Sequence, residues 1–250
     1  MMLFDLDDTL FDSNKLVSKR AREAIMQTYA AGIKIGYVTA RSRWSVGNLL
    51  DGLPMDAIAY YSGAFIFCEN KLIYESSITG KRGKFYLDQF ENVYPDRGYM
   101  SIFEPYSYVS GGELWKNGAP CDEKEEDISG KPGYQRIVFF NTTIDEFSIP
   151  PADDIAYLRS RYGGLVVTPR EVAKGNAVRI IAAHFGIDIG DVVSFGDDTS
   201  DFSMLRVSGI GVAMKNAVYE VKSVADYITD SHNNDGVAKW IEKYVSGVDA

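Results

Sequence analysis

Met2-Leu3-Phe4-Asp5-Leu6-Asp7-Asp8-Thr9-Leu10 sets an apolar run against three closely spaced carboxylates. Leu3, Phe4 and Leu6 predict a buried strand, and Asp5, Asp7 and Asp8 crowd its last positions. Carboxylates this close raise one another's pKa unless a cation or a hydrogen-bond donor stands among them, so the cluster points to a metal. Side chains alternate faces along a strand, and Asp5 and Asp7 would share a side if the strand stayed regular past Asp5. A solvated acidic turn is one alternative; a calcium loop is another. A helix-loop-helix calcium loop needs Gly at its sixth position and Glu at its twelfth. Counted from Asp5, those positions hold Leu10 and Leu16, so the calcium reading fails.

Around this stretch, 250 residues that are 46% hydrophobic and 24% charged give length for one large domain or two modest ones with a real core. A net charge of -9 argues against a nucleic-acid or anionic-membrane partner, because either would be repelled at long range. No apolar run reaches the roughly twenty residues that span a bilayer. An acidic strand also stands where a signal peptide would place a basic and then a long apolar region. A cytoplasmic protein, monomeric or weakly dimeric, is expected. Cys68 and Cys121 are too few and too far apart for a disulfide framework or a zinc site. His184 and His232 have no obvious nucleophile beside them, which disfavours histidine-based chemistry.

Downstream, the spacing predicts a helix from Ser18 to Ala31, with Ser18 as N-cap, Ala21, Ile25 and Tyr29 on one face and Gly32 as its stop. A strand over 33–38 ends in Thr39-Ala40-Arg41, and Ser42 opens a helix to about Leu50. This β-α-β-α rhythm belongs to a doubly wound parallel sheet, whose ligands bind beyond the carboxyl ends of the strands. A third strand at 57–60 and a hairpin across Asn70 follow. From 78 to 168 the pattern becomes aromatic and punctuated by Gly and Pro, with alternation at 135–140 that suits antiparallel strands. The chain is therefore divided into a core, residues 1–77 and 169–250, and an inserted domain, residues 78–168. The acidic run Asp122 to Asp127 is expected to be a solvated loop. Beyond Pro169 the rhythm resumes: a helix from Lys174, a strand at 192–195 closed by Gly196-Asp197-Asp198-Thr199-Ser200-Asp201, strands at 210–213 and 227–229, and helices at 217–225 and 235–245.

Asp5 with Asp7, Thr39, Lys174, and Asp197 with Asp201 thus fall at strand ends or helix starts that a parallel sheet brings to one edge. Together they suit phosphoryl transfer, which needs a nucleophile, a proton donor for the leaving alcohol, and positive charge on the phosphoryl oxygens. Mg²⁺ takes oxygen ligands and is commonly held by one or two carboxylates plus the substrate phosphate, which Asp5 and Asp197 could supply.

In this order the residues resemble the haloacid dehalogenase superfamily. Asp5-Leu6-Asp7-Asp8-Thr9 matches its first motif, Thr39 its second, Lys174 in K-G-N-A-V its third, and G-D-D-T-S-D from Gly196 its fourth. The tail, with G-V-A-M-K-N-A and D-G-V-A, is similar to the Cof-type hydrolases with a C2 cap. The resemblance implies an α/β doubly wound core with an inserted α/β cap of the C2B type. It implies a Mg²⁺-dependent phosphatase acting on small phosphorylated metabolites, with a phosphomutase of the same residues as the nearest rival. A non-catalytic binding protein on the same scaffold is a third reading, disfavoured by the full acidic set. By likeness, Asp5 is the nucleophile and Asp7 the general acid and base. Asp5, Asp7 through its carbonyl, Asp197 and Asp201 or Asp198 hold Mg²⁺, while Thr39, Ala40, Lys174 and Ser200 bind phosphate. Departures from the Cof pattern stand at Asp198, Ser200, Ser62 and His232, several of which are usually Asn. Tyr106, Tyr108, Trp115 and Arg136 are available in the insert to read a leaving group, though aromatics in a small domain are more often core.

Overall fold

The computed structural model describes residues 1–103, 106–110, 113–116, 119–120, 133–149, 152–159 and 163–245, without the side chains of 113–115. Cys121, the run Asp122 to Asp127 and the Trp115 side chain lie outside the described residues. Two compact units emerge, Met1–Glu75 with Ala173–Ala250, and Ser76–Val172. The second unit is wider than 78–168 because its ends are tied together. Ser76 Oγ donates to Glu171 at 2.6 Å, and Arg170 N donates to Asp154 O.

In the first unit, β1 (Met2–Phe4), α1 (Lys19–Ala30), β2 (Ile35–Val38), α2 (Arg43–Val46) and β3 (Ala57–Tyr60) give the expected alternation. The hairpin β4 (Phe65–Cys68) and β5 (Lys71–Glu75) turns through Glu69 and Asn70, both at positive φ. The second unit holds β6 (Ile78–Thr79), α3 (Gly80–Val93), β7 (Tyr99–Phe103), β8 (Tyr106–Val109), β9 (Glu113–Lys116), β10 (Ala119–Pro120), β11 (Gly133–Tyr134), β12 (Arg136–Phe140), β13 (Ile155–Arg159) and β14 (Gly164–Pro169). The first unit then resumes with α4 (Lys174–His184), β15 (Val193–Gly196), α5 (Phe202–Val207), β16 (Ile210–Ala213), α6 (Tyr219–Lys222), β17 (Tyr227–Ile228) and α7 (Gly236–Tyr244).

The core sheet runs β17-β16-β15-β1-β2-β3-β4-β5. It is parallel from β17 to β3 and antiparallel only at the hairpin. β1 lies in its interior, which is why Leu3 and Phe4 on alternate faces are both fully buried. Phe4 stacks on Phe195, ring centroids 5.0 Å apart, and Phe195 meets Trp240 of α7 edge-on at 5.3 Å. Ser18 caps α1 by accepting from Ala21 N at 3.1 Å. The buried face of α1 is Ala21, Ala24, Ile25 and Thr28, whereas Tyr29, expected there, is 44% exposed. Two expected helices are short: α2 stops at Gly47, whose φ is 44°, and α6 covers only 219–222. In the second unit seven antiparallel strands, β10-β9-β8-β7-β12-β14-β13, carry α3 on one side through Phe90, stacked 4.1 Å from Phe139. No helix among the described residues is long and apolar enough to cross a membrane.

Phe195→Ala would empty a fully buried site between β1 and α7 and is expected to destabilise the protein by about 3–5 kcal/mol in urea unfolding. A loss below about 1 kcal/mol would show that this aromatic stack does not anchor the core.

Candidate active site

The strand register brings three distant segments level. Phe4 pairs with Phe195 on one side and with Tyr37 on the other. Asp5, Asp197 and Thr39 therefore all emerge just past the carboxyl ends of β1, β15 and β2, and Asp5 N donates to Phe195 O at 3.0 Å. β1 ends at Phe4, and Thr9, Leu10 and Phe11 all turn their N–H groups back to Leu6 O. The chain bends at once, so strand alternation does not place Asp5 and Asp7 together.

Their partners differ accordingly. Asp5 is buried and its Oδ1 accepts from Lys174 Nζ at 2.5 Å. The same ammonium donates to Asp201 Oδ1 at 2.5 Å, and both Lys174 and Asp201 are buried. Asp201 Oδ2 accepts from the backbone N–H groups of Asp197 and Asp198, each at 3.0 Å. Asp197 Oδ1 accepts from the Thr9 hydroxyl at 3.1 Å. Carboxylate oxygens of Asp5, Asp197 and Asp201 lie within 4.8 Å of one another, a group of the kind that could hold a metal ion. Burial, and then neighbouring Asp5 and Asp201, push the Asp197 carboxyl up to about 8. Burial and Asp201 raise Asp5 to about 7 against the pull of Lys174 and the Leu6 amide. Lys174 is held protonated by the two carboxylates despite its burial. Once ionised, three buried carboxylates against one ammonium leave two negative charges, which a divalent cation would balance, and all donors are hard oxygens suited to Mg²⁺.

Asp7 belongs to a separate grip. Arg41 holds it with two parallel bonds, Nε to Oδ2 and Nη2 to Oδ1, both 2.7 Å, and Lys15 Nζ stands 2.9 Å from Oδ1. The cations outweigh partial burial and lower the Asp7 carboxyl to about 2. Thr39 is buried, and its Oγ1 accepts from Arg41 N at 3.1 Å, leaving its own O–H to donate. Ala40 and Ser200 are exposed, one after the strand-end Thr39 and the other on the 3-10 turn Thr199–Asp201. Asp198 turns its carboxylate onto Thr199 N at 2.7 Å as the cap of that turn, outside the three-carboxylate group. Tyr106 is buried against Phe103 in the second unit, where Tyr108 and Arg136 are half-buried.

The sequence motifs assign no role to Arg41 or Lys15. Arg41 carried a signal, a cation two residues past the strand-end Thr39. Lys15 carried none, because it reaches Asp7 only through a turn in which it takes φ 62°. His232 Nε2 lies 3.2 Å from Ser13 Oγ, although the sequence sets no nucleophile beside it. Asp8 approaches that same nitrogen at 3.8 Å, so the trio lacks the arrangement of a hydrolytic triad, in which the carboxylate binds the other ring nitrogen.

A family model of haloacid dehalogenase-like hydrolases matches residues 2–241. The 5-amino-6-(5-phospho-D-ribitylamino)uracil phosphatase YwtE of Bacillus subtilis is 26% identical over 277 residues, covering 97% of each chain. A Haemophilus influenzae protein is 38% identical over 272 residues, covering 96% of this chain and 95% of its own. Among solved structures, one described as the HAD subclass IIB sugar phosphatase BT4131 superposes with TM-score 0.81 at 26% identity, covering 97% of this chain and 98% of that one. With the four motifs on one sheet edge and almost the whole length matched, the chain belongs to the haloacid dehalogenase-like hydrolases and is a Cof-type phosphatase with a parallel-sheet α/β core and an inserted cap domain.

Proposed function

We propose that this phosphatase hydrolyses small phosphorylated metabolites, sugar and polyol phosphates foremost, through a phosphoryl group carried on Asp5, with Mg²⁺ as cofactor. The observation that carries the reading is the buried cluster in which Lys174 bridges Asp5 and Asp201 beside Asp197, which in its ionised form is two positive charges short of neutrality. The substrate class is supported by the names of relatives, a phosphoribitylamino-uracil phosphatase and a sugar phosphatase.

Asp5 Oδ attacks phosphorus while the bond to the ester oxygen breaks, and that oxygen leaves with the electron pair and a proton from Asp7. Asp7 then takes a proton from water, which attacks the aspartyl phosphate and restores the Asp5 carboxylate. Lys174 and the Leu6 amide pull the Asp5 carboxyl toward its ionised form against the burial and the Asp201 charge that raise it to about 7, and a bound cation would pull it further. The Thr39 hydroxyl, the Ala40 amide, Ser200 and Lys174 bind the phosphoryl oxygens. Asp7 must acquire a proton although Arg41 and Lys15 hold it near 2. An incoming phosphate dianion competes for those cations and raises the Asp7 carboxyl, the direction the step needs. Asp5, the Asp7 carbonyl and Asp197, whose Oδ2 has no side-chain partner among the described residues, would hold Mg²⁺. Both Asp201 oxygens are engaged and Asp198 caps a turn, so these two would act on the ion through water. When bound, Mg²⁺ draws charge from the phosphoryl oxygens.

Two outcomes are expected. Asp5→Asn abolishes Mg²⁺-dependent phosphate release from p-nitrophenyl phosphate and from a sugar phosphate panel, a loss of at least about 10³-fold; release persisting within about tenfold would remove Asp5 as nucleophile. The second concerns pH. Because Asp197 and Asp5 titrate higher in the folded protein than in the unfolded chain, folding takes up protons between about pH 4 and 8, so metal-free stability falls as pH rises through that window. Mg²⁺ needs the ionised forms, so in scanning calorimetry saturating Mg²⁺ raises the melting midpoint more at about pH 8.5 than at about pH 6. An equal rise at both, or none, would separate the cluster from metal binding.

A further inference from the structure

The Cof-like tail and the segment G-V-A-M-K-N-A have no part in the chemistry above, yet the fold brings both against the acidic loop. Asp8, next to Asp7, sits at φ 58°, a left-handed conformation that a non-glycine residue holds only when its surroundings fix it. Asn216 helps to hold it there, its Nδ2 donating to the Asp8 carbonyl at 2.8 Å. Asn216 is oriented in turn by His232, whose backbone N–H donates to Asn216 Oδ1 at 3.1 Å. Farther along the same loop, Ser13 N donates to Asn233 Oδ1 at 3.0 Å and Asn233 Nδ2 donates back to Ser13 Oγ at 2.9 Å, with His232 Nε2 at 3.2 Å from that oxygen. Close packing restricts the backbone of the turn that carries His232 and Asn233. Asp235 closes it at φ 56°, and a Cβ on Gly236 would lie 2.0 Å from Asp230 O. Lys239 pins Asp230 at 2.7 Å.

We propose that Asn216, Ser13, His232 and Asn233 form a clasp that positions the Asp7 loop for proton transfer to the leaving oxygen. The proposal rests on the phosphatase reading and deepens it by giving positioning residues to its acid. The clasp holds the loop at two points between Asp7 and Lys15: at Asp8, adjacent to Asp7, and at Ser13, two residues before Lys15. Asn216, Ser13 and Asn233 are exposed, so water competes for each bond and each contributes little to global stability. Geometry at Asp7 is what the bonds restrict, and misplacing a proton donor by about 1 Å costs up to about 10²-fold in rate.

The test compares kcat/KM, which reports the step that expels the leaving group, for an alkyl phosphate that needs a proton and for p-nitrophenyl phosphate that needs little. Asn216→Asp keeps the acceptor for His232 N but removes the donor to Asp8; Asn216→Ala removes both. Each is expected to lower kcat/KM for glucose 6-phosphate by about tenfold or more and for p-nitrophenyl phosphate by less than about threefold, with the melting midpoint little changed. Amide hydrogen exchange of residues 6–15 rises in the same variants. Should either Asn216 variant fail to fold, Ser13→Ala, a one-atom deletion at an exposed position, is expected to show the same split to a smaller degree. Equal losses on the two esters, no loss, or unchanged exchange of 6–15 overturns the clasp. A wild-type protein that releases phosphate from neither ester instead overturns the phosphatase reading, and exchange then decides the clasp alone.

Discussion

One ammonium group buried between two carboxylates organises the catalytic edge of this protein. Lys174 Nζ reaches Asp5 and Asp201, each at 2.5 Å, and thereby ties the end of β1 to the start of α4 and to the turn after β15. Removing three such charges from water is costly, and their attraction repays it only when the remaining lone pairs are satisfied. Asp201 meets that condition with two backbone amides, and Asp197 in part with Thr9. The surplus negative charge is left where a divalent cation and a phosphoryl group would meet.

Asp5 and Asp7, two residues apart, sit in opposite electrostatic surroundings. Burial among acids raises Asp5 to about 7, whereas Arg41 and Lys15 lower Asp7 to about 2. In the proposed reaction a nucleophile must be ionised and a proton donor must not be, so both shifts run against what its first step requires. Each shift has an evident remedy within the proposed reaction: a cation beside Asp5 lowers its carboxyl, and phosphate oxygens that draw on Arg41 and Lys15 raise that of Asp7. On this view the separation of the two environments ties the protonation states of the site to the arrival of cofactor and substrate.

That separation was illegible in the sequence. Strand alternation predicts Asp5 and Asp7 on one side, but the turn onto Leu6 O ends the strand at Phe4. The same limit shows in α2 and α6, where helical spacing runs past the residues at which the chain bends, and in Tyr29, whose place on the helical period did not bury it.

By itself the sequence determined the alternation of β and α in the core, the inserted antiparallel segment, and the motif residues Asp5, Thr39, Lys174 and Asp197, because hydrophobic period, caps and strand-end polar residues are local properties of the chain. Only the tertiary structure decided how these residues divide the work. It set Lys174 between Asp5 and Asp201, turned Asp198 to capping, gave Asp7 to Arg41 and Lys15, and brought Asn216 and Asn233 to the loop beside Asp8 and Ser13. The reason is physical: which donor meets which acceptor depends on strand register and turn conformation, and partners 27, 34, 169, 208 and 220 positions apart meet where no local pattern encodes the encounter.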